Sequence, residues 1–461
     1  MTTVTSPASS TLSLVRALGL LAATAIVVGD VIGTGVFLKA RVMTCNVGTP
    51  GLVIVVWVVG GLLSLAGALT YAELSVLMPQ AGGEYVFVRE AYGRLWGFLY
   101  GWTRFFVAST GGMAGLAAGF AIFLNVVTDG AMQARPILLP VVASAAIVIV
   151  TLINCAAVQV GGRIASAVAA LKVGIVAGVG VGAFLLARGD WLHFGLSAAD
   201  AACADVPAAA RGGIAGFGAA MMGAMWSYNG WNEVTYVAGE VKDPQRNLPR
   251  AIIGGLGIIA TLYIVANVAY FYVLTPVAIA DVPLSSAVAT EVVMRFLGPR
   301  SAGVMAAALA MAVFGSLQIV TLVSARIPYA MACDGVFFSR MARLSPRTRV
   351  PVAALFVQAV WAVILVFSGS YDVLTDYAIF AVLIFVALST ASVFVFRRRI
   401  PDAPRAYRTV GYPVVPIVFL LVATWLIVNT FVATPGRALA GVGLMLAGLP
   451  FYWYWSSRLR A

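Results

Sequence analysis

The sequence predicts an all-α polytopic membrane protein with twelve transmembrane helices, and three observations carry that prediction. Of the 461 residues, 62% are hydrophobic and 10% are charged, where soluble domains carry about 25% charged residues. Apolar runs long enough to cross a bilayer follow one another along the chain, and the mean hydropathy is +0.99. The basic residues fall mainly in alternate connections between those runs.

Taken in order, the spans are expected at about 16–40, 51–77, 95–127, 136–157, 162–187 and 214–238, each bounded by charged or Pro/Gly-rich breaks. The second six are expected at about 250–275, 300–332, 351–368, 372–396, 411–432 and 438–456. Residues 1–15 read as a cytoplasmic tail: they are polar and lack the basic start and cleavage site of a signal peptide. With that tail inside, 19 Lys and Arg residues lie on the inner side and 8 on the outer side, with Arg104 and Lys172 inside spans. The bias places both termini in the cytoplasm and the chain in the inner (plasma) membrane. "FYWYWSSRLR" at 451–460 reads as an aromatic belt followed by cytoplasmic arginines.

This distribution makes the net charge of +12 a topological signal rather than a nucleic-acid footprint. Cys45, Cys155, Cys203 and Cys333 show no metal-ligand spacing, and His193 is the one histidine, so neither a structural zinc nor a disulfide framework is expected. Gly82-Gly83 is followed by no GxxxxGK[ST], so no ATP engine is visible, and no cofactor is expected. An intramembrane hydrolase would need a metal motif or a placed base, and neither is present.

Two spans are poor helices. "GDVIGTGVFLKA", residues 29–40, places two glycines and an aspartate inside span 1, and "AMWSYNGWNEVTYVAGE", residues 224–240, places Asn229-Gly230 inside span 6. Glycine costs about 1 kcal/mol against alanine in a helix interior, and a buried carboxylate costs more. If spans 1–5 (16–187) and 6–10 (214–398) are two repeats, followed by spans 11–12 (411–456), each break sits on the first helix of its repeat. Paired interruptions of this kind point to an inverted-repeat transporter. An unwound helix frees N–H groups that attract a carboxylate and C=O groups that attract an ammonium. Together they suit a zwitterion without buried side-chain charge.

"GDVIGTGVF" resembles the GxIIG(S/T)G(I/V)F signature of the amino acid–polyamine–organocation superfamily. "LTYAELSVLMPQAGGEYVFVREAYG", residues 69–93, and "FGSLQIVTLVSARIPYAMACDGVFF", residues 314–338, are similar to its helix 2 and helix 8 stretches. "YNGWNEVTYVAGEVKDPQRNLPRAI", residues 228–252, resembles the L-type amino acid transporter branch. The resemblance implies the leucine-transporter fold, a 5+5 inverted repeat in which helices 1 and 6 are discontinuous. It also implies sodium-independent transport of L-amino acids by alternating access and exchange.

Carried over by residue, the resemblance puts the substrate carboxylate at the N–H groups of Gly33, Thr34 and Gly35. The amino group goes to carbonyls around Val31, Ile32, Trp226 and Ser227. Trp226 becomes the covering aromatic gate, and Asn229 faces the substrate side chain. Lys172 corresponds to the helix 5 lysine of sodium-independent members, about 15 Å into its span by helix rise. Asp30 departs from the pattern; pairing with a cation, binding a proton and bonding to nearby backbone all stay open for it. The uncharged Asn229 favours neutral substrates, while Asp30 keeps proton symport and cationic amino acid or polyamine transport as alternatives. A non-transporting amino acid sensor is the rival class. Animal relatives use a cysteine between spans 3 and 4 to bind a heavy-chain glycoprotein; this chain has none there, so no disulfide-linked heavy chain is expected. Arg104 reads as a cytoplasmic-end anchor, Glu73 and Glu84 as hydrogen-bonding or gating residues, and Glu240, Lys242, Asp243 and Arg246 as an inner gate network or a solvated loop.

Overall fold

The first span is built in two pieces, α1 (Leu20–Val31) and α2 (Gly35–Val47), separated at Ile32–Thr34. The computed structural model describes residues 14–458 apart from 129, 133–134, 136, 157, 204–205, 284–285, 369–370 and 434, and only the backbone is described for 371–380, 433 and 437. The expected tail at 1–15 thus falls almost wholly outside the described residues.

α3 (Pro50–Leu77) begins on a proline, which loses no helix hydrogen bond at that position. After α4 (Glu84–Tyr92), the third span runs through α5 (Arg94–Thr103), a π-helical turn at Arg104–Ser109 and α6 (Thr110–Val127). α7 (Leu138–Asn154) and α8 (Val158–Leu186) follow. α9 (Gly213–Ser227) stops in mid-span; a turn over 228–232 leads into a 3-10 segment, Glu233–Glu240. α10 (Pro244–Val273) then crosses back, and α11 (Pro276–Ala280) and α12 (Val288–Leu297) are short connectors. The remainder comprises α13 (Ser301–Ser324), α14 (Arg326–Cys333), α15 (Val352–Ser368), α16 (Tyr371–Arg399), α17 (Val414–Ala433), α18 (Pro435–Leu446) and α19 (Leu449–Arg458).

Among the described residues, nine helices are long and apolar enough to cross a membrane, and no multi-residue strand occurs. The other three expected spans fall on the shorter α7 and α15 and on the interrupted sixth segment. The core sits where α1 meets α8 and α10, α3 meets α10, and α6 meets α13. Behind the two breaks, Trp57 meets Tyr228 and Tyr263 edge-on while the two tyrosine rings are tilted, with ring centroids 5.1–5.8 Å apart. All three are fully buried, so they present a rigid apolar wall to the broken backbone.

The structure corrects one expectation from the cysteines: Cys45 and Cys203 form a disulfide, with Cα atoms 5.8 Å apart. The pairing arises from packing. α2 lies on α9, and Asn46 at the end of α2 grips the connection ahead of α9. Its Nδ2 donates to the Ala210 carbonyl (2.7 Å), and its own carbonyl accepts from Gly212 N–H (2.7 Å). Spacing along the sequence, 158 residues, carries no trace of this.

Candidate functional site

At the first break, the Gly33 N–H turns back onto the Val31 carbonyl (2.7 Å). The amides of Thr34, Gly35 and Val36 find no acceptor among the described residues, so the start of α2 presents free donors. Gly35 is needed there for close approach: a Cβ at that position would sit 2.8 Å from the Ser227 Cα. Gly33 is different, because a Cβ would meet nothing nearer than Ser316 Oγ at 3.9 Å.

The second break is held by side chains. The Ser227 carbonyl, at the end of α9, accepts from the Tyr263 hydroxyl (3.1 Å), which also lies 2.9 Å from the Val31 carbonyl. One phenol thus straddles the two helix ends where the family resemblance puts the substrate's amino group. The Trp226 carbonyl accepts from Asn229 N–H (3.1 Å). Gly230 takes φ +112°, open to glycine and strained for other residues, and brings the chain against the Asp30 carboxyl.

Both breaks face one cavity of about 320 Å³. Asp30, Val31, Gly33, Thr34, Gly35, Trp226, Ser227 and Asn229 all line it. Ile32 is fully buried and does not; Lys172 stands behind the wall. The Lys172 ammonium donates to the Gly29 carbonyl (2.5 Å) and to Ser316 Oγ (2.5 Å), tying α8 to the last turn of α1 and to α13. The remaining wall is mostly small or apolar, from Ala108, Gly112 and Leu116 on the third span to Met222 and Met225 on α9. Met222 and Met225 precede the break on α9, between it and the helix start at Gly213, beside which Arg211 bonds the Cys203 carbonyl.

Arg104 corrects a second expectation. It is no end anchor: it is 3% exposed, lines the cavity and forms an ion pair with Glu233 at the start of the 3-10 segment. Sequence reasoning missed this pair, although the depth argument used for Lys172 applies equally. Arg104 lies ten residues beyond Arg94, where α5 starts.

The face near Leu18 is closed by polar clusters. Ala17 and Leu18 amides both donate to the Glu240 carbonyl (2.9 Å each), and Lys242 N–H donates to the Leu18 carbonyl (2.8 Å). The Glu240 carboxylate accepts from Arg326 Nη2 (2.8 Å) and Nε (3.2 Å), both side chains being fully buried. Of the expected gate network, Glu240 therefore forms the ion pair and Lys242 contributes through its backbone. Asp243 too contributes through its backbone: its carbonyl accepts from the Arg246 and Asn247 amides (2.9 Å each) in the first turn of α10, and its side chain caps nothing there. Glu84 accepts from the hydroxyls of Tyr71, Tyr100 (2.6 Å) and Tyr236 (2.7 Å) and from Asn232 Nδ2 (3.0 Å). Glu73 is held by Arg397 (2.7 Å) and by the Thr409 amide (2.7 Å). At the rim, Asp334 receives Arg89 and the Tyr85 hydroxyl (2.6 Å), and that carboxylate raises the Arg89 guanidinium pKa despite partial burial.

A chain with two facing helix breaks over one closed-ended cavity is matched over residues 18–454 by the family described as amino acid permease. The chain belongs to that family. It is similar to the serine/threonine exchanger SteT of Bacillus subtilis (strain 168), at 29% identity over 442 residues, covering 95% of this chain and 96% of the relative. It is also similar to the b(0,+)-type amino acid transporter 1 of Mus musculus, at 28% over 444 residues, covering 96% of this chain and 88% of the relative. A third relative, the large neutral amino acids transporter small subunit 2 of Homo sapiens, is 28% identical over 456 residues, covering 97% and 82%. This permease thus falls in the amino acid–polyamine–organocation superfamily beside L-type transporters, and its relatives are transporters rather than enzymes.

Proposed function

We propose that this permease exchanges neutral L-amino acids without sodium, by alternating access in a twelve-span leucine-transporter arrangement with a 5+5 inverted repeat. The observation that carries the reading is the pair of helix breaks on one cavity, with the free Thr34 and Gly35 amides on its wall. Those donors suit a carboxylate. The Val31 and Ser227 carbonyls beside Tyr263, both from cavity-lining residues, suit an ammonium. Trp226 covers the bound substrate and Asn229 meets its side chain. Lys172 supplies a fixed positive charge against α1 in place of a metal cation. The exchanger named among the relatives supports the transport mode.

The chain sits in the plasma membrane with both termini cytoplasmic. The Cys45–Cys203 disulfide supports this, because disulfides persist on the oxidising side and this one lies away from Leu18. That placement makes the cavity outward-facing. The chain works without a disulfide-linked heavy chain, since the connection between the third span and α7 contains no cysteine.

Counterflow in proteoliposomes tests the reading. Vesicles loaded with unlabelled serine, threonine, leucine or glutamine should take up the same labelled amino acid, equally in sodium and choline media. A panel in which lysine alone exchanges would instead establish the cationic reading, which the cavity-lining Asp30 and Glu233 carboxyls favour. Binding with no counterflow for any amino acid would make the protein a sensor.

A further inference from the structure

Two carboxyl oxygens in the cavity wall, Asp30 Oδ2 and Glu233 Oε2, are buried with no hydrogen-bond donor among the described residues. Both side chains line the same cavity, and the Glu233 amide donates to the Gly230 carbonyl (3.0 Å), which ties Glu233 to the turn that passes Asp30. They come from different broken segments, Asp30 from the last turn of α1 and Glu233 from the first residue of the 3-10 segment. Gly230 holds them at close quarters, since its backbone passes so near Asp30 that a Cβ would lie 2.8 Å from Oδ2.

The neighbouring cations do not fill this gap. Arg104 from the π-helical turn bonds Glu233 through the other oxygen, Oε1. The Lys172 ammonium from α8 acts on Asp30 through space, while its hydrogen bonds go to Gly29 and Ser316. Tyr236, on the 3-10 segment, faces Arg104 and bonds Glu84. Two ionised carboxylates at close quarters, each with a buried oxygen that lacks a donor, repel. One proton between them supplies the missing donor and removes a charge.

We infer that Asp30 and Glu233 form a proton-binding carboxyl pair that is complete only while the two helix breaks are held together. Movement of one broken segment against the other separates the oxygens, so the proton must then be held by one carboxyl or released. The site rests on the amino acid transport of the proposed function and bears on its mode: a proton bound in the cycle couples exchange to protons, so a proton gradient can drive amino acid accumulation. One pH unit of gradient with one proton per amino acid allows at most about tenfold accumulation.

Two measurements test this. Infrared difference spectra of purified protein in its cavity-open state should show the C=O stretch of a protonated carboxyl, shifted in heavy water. That band should be lost in Asp30→Asn and in Glu233→Gln. In proteoliposomes, an inward proton gradient should raise wild-type accumulation, and in each variant the ratio with and without gradient should fall to one, whatever rate remains. Absence of the band in wild type, its persistence in both variants, or its replacement by a sodium-dependent signal would overturn the proton site. A band present in wild type with counterflow indifferent to the gradient would overturn the coupling. A band with no counterflow for any amino acid would keep the site and reject the transport reading.

Discussion

The two helix breaks face one cavity, yet they are made differently. The break after α1 is a backbone device: small residues, free amides and no side-chain cap at Thr34. The break after α9 is a side-chain device, followed at once by Asn232 bound to Glu84 and Glu233 bound to Arg104. Through these residues the second break is continuous with the polar clusters that close the Leu18 face. The first break can therefore meet a ligand while the second transmits its movement to the gate. Side-chain deletions should accordingly cost much at the second break and little at the first.

The largest effect is expected from Arg104→Met. It leaves the Glu233 carboxylate buried beside Asp30 without its guanidinium, a kind of loss that costs about 3–5 kcal/mol. Thermal unfolding of detergent-solubilised protein should register it, and Arg104→Met/Glu233→Gln together should recover much of the loss. A single mutant as stable as wild type would show that the second break does not depend on this pair.

The glycines sharpen the contrast within the first break. Gly35→Val drives a side chain into Ser227, where overpacking costs about 1–3 kcal/mol, and should abolish exchange. Gly33→Ala has room and should fold normally, while Gly33→Leu should fold but block the cavity. Equal losses of stability in Gly33→Ala and Gly35→Val would erase the distinction.

Lys172→Ala removes the donor shared by the Gly29 carbonyl and Ser316. Leaving such groups unpaired costs about 1–3 kcal/mol. Because the ammonium braces α1 and does not line the cavity, turnover should fall more than substrate affinity, as a comparison of exchange rate with equilibrium binding would reveal. Sodium-stimulated transport in wild type would reject its role as a cation substitute.

Much of this architecture was legible in the amino-acid sequence, because bilayer crossing and helix interruption are local properties. Apolar run length located nine of the twelve expected spans as long apolar helices, and the paired Gly-containing interruptions hold Asp30, Val31, Gly33, Thr34, Gly35, Trp226, Ser227 and Asn229, which line one cavity. What stayed hidden depends on contacts between distant segments. Glu84 is one residue among four partners from three separate stretches of chain, and no spacing rule joins Tyr71, Tyr100, Asn232 and Tyr236. The Cys45–Cys203 bond likewise follows from the seating of α2 on α9. Arg104 is a different case: its depth, ten residues beyond Arg94, was legible, but its partner Glu233 lies 129 residues away along the chain.

The smallest expected effect falls at Thr34. Its side chain caps nothing at the start of α2, yet the residue lines the cavity beside the free amides. In the ligand-free fold the hydroxyl therefore contributes little, and Thr34→Ala should unfold at the wild-type temperature. With a substrate carboxylate on the break, the hydroxyl adds one hydrogen bond to those of the backbone. Losing one such bond costs about 1 kcal/mol, or about a fivefold rise in Kd. Equilibrium binding and thermal unfolding, measured on the same preparation, separate the two contributions. Unchanged affinity with reduced stability would mean that Thr34 serves the helix start and that the first break, like the second, is held by its side chains.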